Sequence, residues 1–150
     1  MSKCLLALAM VSMLTAASPS AEPAPSADGR FSAVDVFIDA GAHPLAAYQL
    51  DFHATTDNVQ IVGIEGGHAP AFAQPPYYDP RAMMNDHVLL AAFTTDDADN
   101  LPTGRTRVAT IHVYILDNAA PDYVSTLQVA ATTDGTPIDA EISHETRSDP

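Results

Sequence analysis

Apolar and polar residues alternate with period two along most of the chain, and this pattern predicts strands. The plainest run is Thr106 to Leu116, where Ala109, Ile111, Val113 and Ile115 fall on one face and Thr110, His112 and Tyr114 on the other. Ala46 to Ala54 repeats the arrangement, with Tyr48, Leu50 and Phe52 opposite Gln49, Asp51 and His53. Earlier, Val34, Val36 and Ile38 share one side of a strand and Asp35 and Asp39 the other, while Phe37 breaks the pattern by facing outward. Val59 to Glu65 is rich in β-branched residues and ends at Gly66-Gly67. Val88 to Phe93 is a short apolar run suited to a buried strand. Two weaker strands are expected around Thr126 to Ala131, with Leu127 and Val129 inward, and around Ile138 to Ile142.

The segments between these runs carry turn chemistry. Gly41 to Pro44, Asp57-Asn58 and Pro102-Thr103-Gly104 read as turns, and Thr94 to Asn100 as an acidic loop. His68 to Arg81 holds Pro70, Pro75, Pro76 and Pro80, which cannot donate to a central ladder, so it reads as a long structured loop. No segment from Phe31 to Ile142 sustains capped helical periodicity, although Pro80 to Leu90 has room for a helical turn. Six to nine strands at this spacing predict an all-β antiparallel sandwich or jelly roll.

The ends differ in character. Met1-Ser2-Lys3 leads into the apolar stretch Cys4 to Thr15 and then the small residues Ala16 to Ser20, the three parts of a secretory signal peptide. The run is short for a membrane span. Residues 1–20 are therefore expected to be a leader, 21–30 a flexible linker with Pro23, Pro25 and Gly29, 31–142 the folded domain and 143–150 a polar tail. This predicts export to an extracellular or periplasmic location. Cys4 is the only cysteine and precedes the apolar run, so it fits neither a lipid attachment site nor a disulfide in the mature domain.

Charge narrows the partners. The formal net charge is −13, and loss of the leader with Lys3, the only lysine, makes it more negative. Such a surface repels phosphate backbones and anionic lipid, which disfavours nucleic acid and membrane surfaces as partners. A monomer is expected.

The succession Val34 to Asp39, Leu45 to Phe52, and Val59 to Gly67, followed by Val88 to Phe93 and Arg107 to Tyr114, resembles the strand order of cohesin domains. The resemblance covers about Phe31 to Ile142. It implies a jelly-roll sandwich of about nine strands whose role is non-covalent recognition of a protein partner. Carbohydrate-binding modules share much of that architecture, so an extracellular polysaccharide is the alternative ligand. The chain departs from scaffold cohesins in having one module and no dockerin-like calcium repeat.

Candidate chemistry is sparse. Asp96, Asp97 and Asp99 place several oxygen ligands in one loop, as calcium requires, but without the glycine and distal glutamate of an EF-hand; a solvated acidic turn explains them as well. Six histidines show no paired spacing of the His-Glu-x-x-His kind, and no cofactor is expected. There is no Gly-x-Ser-x-Gly, and a carboxylate pair such as Glu65 with Asp79 serves a glycosidase only if folding sets them across a cleft; an enzyme is not expected. The most distinctive segment is Gln74 to Pro80, where Tyr77 and Tyr78 stand between prolines. Neighbours in extended chain point oppositely, so one ring is expected to pack on the sandwich, Tyr78 being the better candidate, and the other to meet a ligand or partner.

Overall fold

The computed structural model describes residues 29–117 and 120–148. The proposed leader and almost all of the proposed linker lie outside the described residues. Seven strands form: β1 (Arg30–Asp39), β2 (Ala47–Ala54), β3 (Val59–Gly66), β4 (His87–Phe93), β5 (Arg105–Ile115), β6 (Tyr123–Ala131) and β7 (Glu141–Ser148). They make two antiparallel sheets, one of four strands in the order β3-β5-β1-β7 and one of three in the order β4-β2-β6. About nine strands were expected. Beyond the seven, Tyr77 bridges to Ala91 on β4 and Pro137 to Ala131 on β6, each through a single residue.

The alternation of β2 and β5 becomes the core. Leu50, Phe52 and Leu90 from the three-stranded sheet meet Val34, Ile111 and Val113 from the four-stranded one in a single buried cluster. Burying apolar side chains of this size stabilises by roughly 1.5–3 kcal/mol each before the entropy of ordering is subtracted. Tyr48 spans the sheets: its hydroxyl donates to the Val108 carbonyl at 3.1 Å, and burial pushes the phenol pKa up.

Two irregularities matter for what the faces display. Between Gln49 and Leu50 the pairing of β2 with β6 skips Gln128, so Val129 comes opposite Gln49 and faces solvent. Val129 was expected inward; the bulge reverses its side because one extra residue shifts the two-residue period by one. A second bulge between Val36 and Phe37 leaves Val108 unpaired on β5. There the chain after β3 crosses close by: a Cβ on Gly67 would collide with the Arg107 carbonyl, and one on Gly66 with the Ala73 carbonyl. Only glycines allow that crossing, which starts the proline-rich loop on its path back to β4.

The larger departure is at the C-terminal end. Residues 143–148, expected as a polar tail, form most of β7, which pairs with β1 from Asp39↔Glu141 to Ser32↔Ser148. The weak strand expected at Ile138 to Ile142 accordingly starts later. The sequence Glu141 to Ser148 has little apolar content, and its anchor is ionic. Asp35 on β1 is only 7% exposed, and it accepts from Thr110 Oγ1 at 2.6 Å and from Arg147 Nη2 at 3.1 Å, while Arg147 Nε stands 2.9 Å from its other oxygen. Arg107 on β5 adds a longer contact at 3.4 Å. Thr110 thus lies on the outward face, as the alternation requires, yet is buried under this network. Arg105 reaches from β5 over the Phe37 ring, 3.6 Å from its centroid, to Glu145 of β7 at 2.6 Å.

Removing the carboxylate leaves two guanidinium groups and a hydroxyl short of an acceptor. Asp35→Ala is therefore expected to lower stability by about 2–4 kcal/mol and to release β7 first. Urea melts, combined with hydrogen exchange on the β7 amides, check this; unchanged protection of β7 in the variant would contradict the anchoring role.

Candidate functional site

The outward faces of the two sheets differ in chemistry. On the four-stranded sheet the outward positions include the charged and polar set Asp35, Thr110, Arg107, Arg147, Glu145, Glu65 and His112, most of which pair with one another, and at the margins the exposed Phe31, packed on Tyr114, and Val62. His112 Nε2 lies 3.1 Å from Glu65 Oε1 but outside hydrogen-bond alignment. On the three-stranded sheet, register sets four cross-strand rows: Phe93, Ala47 and Ala131; Ala91, Gln49 and Val129; Leu89, Asp51 and Thr126; His87, His53 and Val124. Leu89, Phe93, Val124 and Val129 are all exposed there.

The loop between β3 and β4 extends this face. Tyr77 exchanges two backbone hydrogen bonds with Ala91, at 2.7 and 3.0 Å, so the loop protects part of the β4 edge and sets the Tyr77 side chain on the outward side. Tyr77 is 70% exposed, and its ring lies nearly parallel to that of Phe93, itself 65% exposed, at 14° and 6.1 Å between centroids. Tyr78 points the other way and packs against the core cluster, in line with the alternation. Phe72, earlier in the loop, is buried edge-on to Tyr48 at 5.2 Å. An open groove of about 610 Å³ runs between the loop and β4, lined by Tyr77, Tyr78, Arg81, His87 and Leu89 among others. At its rim Asp79 caps a single helical turn, and hydrogen bonds from the Arg81 side chain and backbone hold its carboxyl below the usual range.

Other sequence candidates are not brought together. Asp96, Asp97 and Asp99 sit exposed around the single turn Ala98–Asn100. As placed, no three His, Cys, Asp or Glu side chains among the described residues converge to hold a metal ion. Glu65 and Asp79 face different partners, His112 and Arg81. Folding does produce a serine–histidine contact that sequence did not suggest, Ser125 Oγ to His144 Nδ1 at 3.0 Å. It links β6 to β7 and lines none of the depressions described here, so it joins the two sheets at one side.

Comparison with known proteins finds nothing. Neither family models, nor curated proteins, nor solved structures match the chain.

The paired tyrosines give a direct check on the site's geometry. Tyr78→Ala removes a ring packed on the core and is expected to cost about 1–3 kcal/mol, seen as a lower melting temperature. Tyr77→Ala is expected to leave the melt nearly unchanged. Equal losses would mean that both rings serve as packing.

Proposed function

We propose that the chain is an exported, non-enzymatic binding module with a cohesin-like jelly-roll architecture, and that it recognises a protein partner through the outward face of the β4-β2-β6 sheet. One observation carries this reading. Of the eight large apolar side chains exposed among the described residues, five, Tyr77, Leu89, Phe93, Val124 and Val129, lie on that one face. Scattered exposed apolar residues are normal, but five on one sheet, against Phe31 and Val62 at the margins of a sheet whose centre is ionic, support an interaction surface. The face is broad, and the groove beside it is open, which suits a protein surface better than a small molecule held in a deep cavity. The acidic balance of the chain favours a partner that is neutral or basic around an apolar centre.

A second reading rests on a narrower observation. The near-parallel, exposed rings of Tyr77 and Phe93, with Asp79, Arg81 and His87 along the adjoining groove, also suit the apolar face and hydroxyls of a sugar. The two readings separate on the aliphatic positions, which a sugar platform at the rings does not need.

Capture from the native culture, run beside a polysaccharide panel, tests both. Leu89→Gln and Val129→Gln are each expected to abolish capture of a protein partner while costing no more than about 1 kcal/mol of stability, because both side chains are about half exposed and glutamine sets no charge opposite Asp51. Retained capture by both variants would overturn the sheet-face reading. Polysaccharide binding lost only in Tyr77→Ala and Phe93→Ala would favour the sugar.

A further inference from the structure

Sequence spacing pairs none of the six histidines, but strand register does. His53 on β2 and His87 on β4 are directly opposite in the antiparallel ladder, and Asp51 stands two residues before His53 on the same outward face. Directly opposed residues have Cβ atoms about 4.5–5.5 Å apart, within range for two imidazoles to share one ion. Asp51 already lies between them: Oδ2 is 2.8 Å from His87 Nε2, and Oδ1 is 3.5 Å from His53 Nδ1. The rings are perpendicular, with centroids 6.0 Å apart. Asp86 and Ala54 complete the walls of a depression of about 400 Å³ over these three residues.

We propose that Asp51, His53 and His87 form a binding site for one divalent transition-metal ion of the zinc or nickel class. Metal–nitrogen and metal–oxygen bonds of about 2.0–2.2 Å in a tetrahedron put donor atoms roughly 3.3–3.6 Å apart. The present 2.8 and 3.5 Å contacts run to different oxygens of Asp51, so they bring both imidazole nitrogens beside one carboxylate without yet making that tetrahedral edge. In the arrangement described, each imidazole is turned to its own carboxylate oxygen, which is why the three donors do not meet at a point. Closing the site requires rotation of the imidazoles, whose side chains are 42% and 56% exposed, on two rigid paired strands. Imidazole with one carboxylate selects borderline transition ions over calcium or magnesium, which require more oxygen ligands. A fourth position is left for water or the Asp86 carboxylate. The strongly negative chain raises the local concentration of cations around it. The site shares the face assigned to partner recognition, but its affinity for metal does not depend on that assignment.

Calorimetric titration of the untagged full chain with zinc chloride, and separately with nickel chloride, tests the proposal. The parent is expected to bind one equivalent saturably and to melt at a higher temperature with metal present, since an ion bound only by the folded state stabilises it. His53→Ala and His87→Ala are each expected to lose both signals, whereas His112→Ala keeps them. Both imidazoles are partly exposed and pair with the Asp51 carboxylate, so the metal-free variants are expected to stay folded with a small loss in melting temperature, and the metal-induced shift is read against each variant's own metal-free melt. Asp51→Asn provides a second, nearly isosteric test, with weakened binding expected. No saturable binding by the parent, or binding retained in both His53→Ala and His87→Ala, would overturn the site.

Discussion

A single buried carboxylate organises the four-stranded sheet. Asp35 sits in the middle of β1, almost out of water, with Thr110 and Arg107 reaching it from β5 and Arg147 from β7. Taking a carboxylate out of water is costly unless hydrogen bonds replace its hydration, and the partners that do so are drawn from both neighbouring strands. The network therefore ties β1 to its two neighbours through side chains as well as backbone. It also engages most of the charged groups at the centre of that outward face. The other sheet carries the larger exposed apolar set, with Leu89 and Phe93 on β4 and Val124 and Val129 on β6.

The division of labour between the sheets follows from period-two geometry with a few exceptions. β2 buries Tyr48, Leu50 and Phe52 and presents Gln49, Asp51 and His53. Its neighbours add Leu89, Phe93 and Val124 to the same outward side by register alone. The β6 bulge then adds Val129, and the backbone bridge at Ala91 adds Tyr77. Two local irregularities thus enlarge an apolar patch that regular pairing had begun. The histidine pair and Asp51 sit at one end of this patch, beside Leu89 and Val124, so a bound ion would lie within the recognition surface.

Much of the fold was legible from the sequence because alternation is local. β2 and β5 could be placed with their faces assigned, and the opposite directions of Tyr77 and Tyr78 followed from extended backbone. The misses arose where the deciding interaction is distant in sequence. Glu141 to Ser148 has no apolar stripe, and only Asp35, more than a hundred residues earlier, gives Arg147 a reason to be ordered. Val129 was assigned to the wrong side because a bulge has no signature at Gln128. His53 and His87 are brought together by the register of β2 with β4, which no spacing motif encodes. Asp96, Asp97 and Asp99 show the converse, since adjacency in sequence did not make their carboxylates converge.

The proposed recognition surface rests on the difference between the two outward faces, and site-directed photo-crosslinking in the native culture fluid measures that difference most directly. A photoreactive side chain placed at position 89, on the three-stranded sheet, is expected to yield a discrete cross-linked partner. The same group at position 65, on the ionic sheet, is expected to yield none. Cross-linking from position 65 and not from position 89 would contradict the assignment of the recognition surface.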